Sequence, residues 1–511
     1  MKRTAVERRH GRGATTRGSH RLAVAVILVS WGAGAGCGAG CRAPASDAGP
    51  TCGDGVVSSS EACDLGVNDG GYGGCSPGCR SLGPRCGDGF VREEFEECDD
   101  GNDSAGDGCR PTCEVESDCT VLWIVRPAYT GGAFGYGLAG QVDFDGDGVT
   151  DVLVGAPWVL QAGGSRGGAY VLSGFDGSEL LAVAVADAPA SLGERVAWAG
   201  ERDGDGVPDI AMAANADVPC EVAPSAVYVV AGADGTLLDT VDGTVPGDCQ
   251  GSALASAGDI DGDALDDLLV GASESPVAFP QGNGRVVLYA GAPLAPLWEV
   301  AAVTNIGLGY AVTVMGDANG DGVGDVVVSS VGASYGGRVD ALDLTSGSWH
   351  WEVRGDRFNY GASLATMGDI DGDSVDDVLV GAAGGDVFGA PNKDGDSVQI
   401  LSGFDGALLR TFDAPRADEG FGHAVARLGD LDGDAVPDVA VGAPLATPGA
   451  GRVFLFSGAT GQRLASIAAP GAWPFLGTTL ATVGDLDGDA LPDVVAGAPG
   501  QGAVYAFTCA P

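Results

Sequence analysis

The clearest pattern in the chain is a polar nonad that runs straight into a short apolar segment, as in GDIDGDALDDLLVGA at residues 258–272. Asp and Gly crowd the first part, which is turn chemistry, and LLVGA reads as a short buried strand. The same register recurs seven times, with nonads beginning at 143, 201, 259, 317, 369, 430 and 485. Every copy has Gly at position 4, Val or Leu at position 7 and Asp at position 9. Before each nonad comes a Gly-centred lead-in, such as FGYG at 134, LGYA at 308 and FGHA at 421, and then a short apolar strand. After it come a strand of the DVLVGAP type, a Gly-rich turn, a strand such as GRVVLYAG or GRVFLFSG, and a fourth such as LLRTFDA. Four short strands per unit, repeated in tandem and each unit unable to bury its faces alone, predict an all-β, seven-bladed β-propeller of four-stranded blades.

The nonads also carry chemistry. Positions 1, 3, 5 and 9 are Asp143, Asp145, Asp147 and Asp151; Glu201, Asp203, Asp205 and Asp209; Asp259, Asp261, Asp263 and Asp267; and Asp317, Asn319, Asp321 and Asp325. The remaining three are Asp369, Asp371, Asp373 and Asp377; Asp430, Asp432, Asp434 and Asp438; and Asp485, Asp487, Asp489 and Asp493. Carboxylates gathered in one loop repel unless water or a cation screens them. An oxygen-only donor set of irregular geometry suits Ca2+, whereas Zn2+ asks for Cys or His. Alone, one nonad reads equally as an ordinary acidic turn. Seven in register predict structural Ca2+ ions, about seven in all, holding the first hairpin of each blade.

These units resemble the FG-GAP repeats of the integrin α-subunit propeller. The FG is literal in Phe134-Gly135 and Phe421-Gly422, and the GAP in Gly155-Ala156-Pro157, Gly442-Ala443-Pro444 and Gly497-Ala498-Pro499. The resemblance spans residues 121–508 and implies seven blades with calcium between the first two strands of a blade. The last unit has only three strands after its lead-in, and VLWIVRP at 121–127 stands before the first lead-in, so the N-terminal strand is expected to complete blade seven. Cys119 and Cys509 would then meet at one edge and tie the ring shut. Cys220 and Cys249, on loops near blades two and three, form a second candidate pair.

The front of the chain divides differently. Residues 1–41 read as a signal peptide: an Arg-rich start, then LAVAVILVSW, too short to span a bilayer. Cys37 and Cys41 each end a GAGC resembling a lipoprotein cleavage site, so lipidation at either, or plain secretion, is open. Residues 42–51 form a linker. Residues 52–118 hold two tandem cysteine-rich repeats, about 52–85 and 86–118, with eight cysteines. They resemble the CGDG…EECDDGN repeats of myxobacterial surface proteins and predict a small disulfide-rich domain with two bridges per copy. The propeller takes residues 119–511.

A formal charge of −44 over 511 residues disfavours nucleic acid and anionic membranes. Seven Ca2+ ions would add +14 and leave −30. Catalytic side chains are scarce: after the signal peptide only His350, His423 and Lys393 remain of their kinds, and no Ser-His-Asp grouping, HExxH or phosphate loop appears. The expected protein is therefore not an enzyme. It is a binding or adhesion module, secreted or held by lipid on a bacterial surface, monomeric, with an extracellular protein or glycan as partner. A spacer without a dedicated ligand and a calcium-dependent polysaccharide-active enzyme are the alternatives. On the face opposite the acidic loops, Trp158, Phe279, Phe388 and Trp473 are the candidate contacts, because aromatics dominate binding hot spots.

Overall fold

The computed structural model describes residues 119–509, apart from short stretches at several inter-strand turns, and scattered residues between 57 and 88. Seven antiparallel sheets of four strands each follow one another around a ring. In blade three the strands are Gln250–Gly258, Asp267–Ala272, Arg285–Tyr289 and Pro296–Ala301, ordered from the inside outwards as they occur in the chain. An even number of antiparallel strands returns the chain to its starting face before the next blade begins. All seven acidic loops, which join first to second strands, therefore share one face.

The second strand of each blade is buried throughout, as in Asp151–Gly155, Asp377–Ala382 and Val494–Ala498. That is why these segments read as continuous apolar runs rather than alternating ones. Among the described residues of the propeller, seven hydrophobic clusters form its core, and each lies at the seam between two neighbouring blades. Leu269, Val286 and Leu288 of blade three, for example, pack with Val326, Val328 and Leu342 of blade four. A blade has no core of its own, so its stability comes from its neighbours.

The FG and GAP glycines explain how the seams close. A Cβ on Gly442 would stand 2.0 Å from the carbonyl oxygen of Gly477, and one on Gly497 would stand 2.2 Å from that of Gly135, across the closing seam. The same approach joins Gly155 to Gly193, Gly271 to Gly309 and Gly381 to Gly422. Backbone thus packs on backbone at the second strand, and the lead-in glycines, with φ between +84° and +95°, bend the chain into place. On the outer strands, Trp123, Trp298 and Trp351 each donate their indole N–H across a seam, to the carbonyls of Gly174, Leu344 and Gly403.

Ring closure runs through the N-terminal strand. Thr120–Val125 pairs antiparallel with Ala503–Thr508 as the outermost strand of blade seven, and a disulfide joins Cys119 to Cys509. Nearer the N-terminus, Cys63 is bonded to Cys75, and Cys79 and Cys86 are also disulfide-bonded. Cys249 is disulfide-bonded too, while Cys220, Cys37 and Cys41 lie outside the described residues. Among the described residues, no helix is long and apolar enough to cross a membrane.

Candidate metal centres

Each acidic loop is wound by its own carboxylates. In blade one, Asp143 accepts the N–H of Gly146 (2.8 Å) and of Gly148 (3.0 Å), Asp145 accepts that of Asp147 (3.1 Å), and Asp147 accepts that of Val149 (2.8 Å). Asp151, at the start of the second strand, accepts the Phe144 N–H at 2.7 Å and ties the loop back to its base. Blades three to seven repeat the pattern through Asp259, Asp317, Asp369, Asp430 and Asp485. In blade two the longer Glu201 side chain accepts the N–H groups of Gly204 and Gly206.

Two loop positions take left-handed backbone. Position 4 is always glycine, with φ from +77° to +88° and open space where a Cβ would be, so conformation rather than crowding selects it. Position 6 is left-handed as well, yet holds Ala264, Ser374, Ala435 and Ala490 in four blades, with φ from +71° to +75°. Its alternation of Gly with Ala and Ser gave little sign of this in the sequence. Left-handed residues that are not glycine cost roughly 1 kcal/mol each, so the loop geometry is held by something stronger than local preference.

The loops bring most of the proposed ligands together. Carboxylate oxygens of Asp143, Asp145 and Asp151 lie within 4.8 Å of one another, as do those of Glu201, Asp203 and Asp209, of Asp369, Asp371 and Asp377, and of Asp430, Asp432 and Asp438. In blade three the group is Asp259, Asp261 and Asp263. The position-9 aspartates are completely or almost completely buried in all seven blades. In blades one, two, five and six their second oxygen accepts the N–H of Gly174, Gly232, Gly403 or Gly458. In blades three and seven that bond is missing, and Oδ1 of Asp267 and of Asp493 is buried with no partner. A buried carboxylate oxygen without a donor is costly, and these are the oxygens that in four other blades meet a glycine N–H after the third strand. The all-oxygen donor sets fit a hard divalent ion.

Electrostatics agree with the geometry. Burial raises the pKa of all seven position-9 aspartates, to about 6 for Asp209, Asp377 and Asp438 and to about 7 for Asp493. Backbone N–H donors work against the rise, and neighbouring loop carboxylates add to it in several blades. In blade two the position after Glu201, apolar or alanine elsewhere, is Arg202. Its buried guanidinium donates to the carbonyls of Asp266 (2.7 Å), Ala290 (2.9 Å) and Gly291, clamping blade two to blade three.

On the opposite face, Trp158 is exposed and meets Tyr136 edge-on, with ring centroids 5.7 Å apart. Phe279, Phe388 and Trp473 lie outside the described residues. Residues that the sequence did not single out as ligand contacts gather nearer the axis, at the lead-ins. Tyr310 and His423 are exposed there, Glu194 is buried, and Arg195 donates to the Ser252 carbonyl at 3.1 Å. Tyr136, raised in pKa chiefly by burial, also feels Arg195, Glu194 and Tyr310.

Family profiles place known repeats on these blades. An FG-GAP repeat profile matches residues 134–172 and 251–289, and an FG-GAP-like repeat profile matches residues 430–496, each beginning at a lead-in or an acidic loop. The matched blades carry FG-GAP repeats, and the propeller is similar to that of integrin α chains. The chain is 31% identical to integrin alpha-V of Gallus gallus over 233 residues, 41% of this chain and 22% of that protein. It is 35% identical to integrin alpha-10 of Homo sapiens over 153 residues, 28% of this chain and 13% of that one. Integrin alpha-PS2 of Drosophila melanogaster shows 31% identity over 233 residues, 40% of this chain and 16% of the relative. The chain spans less than a quarter of the length of these relatives. Residues 77–114, within the cysteine-rich region, match a domain of unknown function, DUF4215.

Proposed function

We propose that this propeller is a calcium-stabilised, extracellular binding or adhesion module that presents the face opposite its acidic loops to a protein or glycan. The observation that carries the reading is the division of labour between the two faces. One gathers carboxylates within 4.8 Å of one another in successive loops, and the other exposes Trp158, Tyr310 and His423. Ca2+ in the loops would neutralise the position-9 aspartates, lock each first hairpin and hold the binding face rigid. The likeness of the blades to integrin α chains supports a binding role over an enzymatic one. The Cys63–Cys75 and Cys119–Cys509 bridges support an oxidising location, as in a secreted or surface-anchored protein of a bacterium.

Thermal unfolding of the purified protein in excess Ca2+ and in EGTA, with bound metal counted, tests the calcium half. Each site held at 100 times its dissociation constant contributes about 2.7 kcal/mol, so several filled loops give a large rise in midpoint. No bound calcium and no shift would reduce the loops to plain acidic turns. Glycan and matrix-protein arrays probed in calcium test the other half. Binding weakened by Trp158→Ala at unchanged midpoint places the contact on this face; silence across the arrays favours a spacer.

A further inference from the structure

The outer strand of each blade ends its sheet, so among the described residues seven backbone edges without a partner strand line the perimeter of the ring. Such an edge is a template for another strand, and charged side chains are one of the means by which proteins keep it from pairing. Six of the seven outer strands carry a charge: Glu179, Asp239, Glu299, Glu352, Arg410 and Arg463 stand in those of blades one to six. The seventh, Thr120–Val125, reads TVLWIV and has none. A bulge near the start is common to all seven, so it does not set this strand apart. The strand register sharpens the contrast. Ile124 lies opposite Tyr505, and the residues at the same place in blades one to six are Ala182, Thr240, Glu299, Glu352, Thr411 and Ser466. Blade seven alone puts a large apolar side chain there, and it is 39% exposed.

Charge indicates what fits this edge. The chain carries a formal −44, so two copies repel over most of their surface, and an uncharged edge is where a second copy can come close. The two ends of the strand differ in sign: Glu114, Glu116 and Asp118 precede it, and Arg126 follows it. Two such strands running in opposite directions set the basic end of each beside the acidic end of the other, whereas parallel strands would bring like ends together. Opposite directions are also what a two-fold axis imposes, since an isologous contact uses the same residues on both sides. Both ends of the edge are held in place. Arg126 is exposed but anchored, its guanidinium 5.6 Å from the centre of the Tyr505 ring and donating to the Tyr505 hydroxyl at 2.8 Å. At the other end Cys119 is bonded to Cys509. A strand fixed before it meets its partner loses little freedom on pairing.

We propose that Thr120–Val125 is a docking edge for a second copy of this chain, the two strands pairing antiparallel so that two four-stranded blades join into one continuous sheet. The test is light scattering and sedimentation of the whole purified protein in saturating Ca2+ across a range of micromolar concentrations. The mass of two chains is expected at the upper end and of one chain on dilution. Ile124→Glu installs the residue of blades three and four at an exposed place, so folding and melting midpoint are kept. It should weaken dimerisation by about tenfold or more, because it sets like charges into a closed contact. Val121→Arg, which installs the residue of blade six at its own place, should do the same. Ala182→Glu adds a charge at the matching place of blade one and should leave the dimer as it is. A single chain at every concentration overturns the proposal. So does a dimer that Ile124→Glu and Val121→Arg leave intact, or one that Ala182→Glu weakens equally.

Discussion

The Cys119–Cys509 bridge closes the ring, and its removal by Cys119→Ser with Cys509→Ser is the perturbation whose size follows most directly from the fold. The two cysteines are 390 residues apart. Chain-entropy arithmetic for a loop of 390 residues gives about 6 kcal/mol of stabilisation through the unfolded state. Dividing by roughly 2.1 cal/mol/K per residue over those 390 residues predicts a fall in melting midpoint of about 7 °C. Native packing is expected to persist, because Thr120–Val125 stays paired with Ala503–Thr508 through its backbone. The assay is thermal or denaturant unfolding in saturating Ca2+, comparing the double variant with the parent under oxidising conditions. Reductant is a poorer perturbation, since Cys249 and the front domain are bridged as well. A midpoint within 1 °C of the parent would refute the reasoning and show that strand pairing alone fixes the ends, even in the unfolded ensemble.

Three further outcomes are expected. Gly442→Ala drives a Cβ into the Gly477 carbonyl oxygen 2.0 Å away, in a seam of backbone with nowhere to yield, and should cost about 3 kcal/mol or more by denaturant unfolding, against about 1 kcal/mol for Gly433→Ala in calcium-free protein, where the space is open and only φ is strained. In EGTA the melting midpoint should fall as pH rises from about 4 to 8: Asp209, Asp377, Asp438 and Asp493 hold protons to about 6 or 7 when folded but release them near 4 when unfolded, so stability is lost across that window. Ca2+ competes with those protons and should abolish the fall; an apo midpoint that rises over the same range contradicts the burial argument. Asp493→Asn keeps an acceptor for the Leu486 N–H but removes a fully buried charge, so at pH 8 it should raise the midpoint in EGTA while lowering the calcium count by one. A variant less stable in both conditions would show that the carboxylate matters for something other than the ion.

Periodicity made the ring legible before any coordinates. Seven nonads in register, each followed by a continuous apolar run, announce a second strand buried on both faces, because local composition answers directly to burial. The counting of strands also placed Thr120–Val125 in blade seven and set Cys119 beside Cys509, since an antiparallel sheet leaves few places for a leftover strand. What no linear pattern carried was the direction of individual side chains once the ring had closed. Position 6 of the loop is left-handed even where it is alanine or serine, because the carboxylates around it dictate the turn. Tyr136, Arg195, Tyr310 and His423 come from the lead-ins of four different blades, so only the closed ring sets them on one face. His350 reads in sequence as an unremarkable outer-strand residue. A bulge turns it onto Asp325, and a bulge is a property of pairing between strands, so only the assembled sheet decides that an imidazole belongs to the loop of blade four.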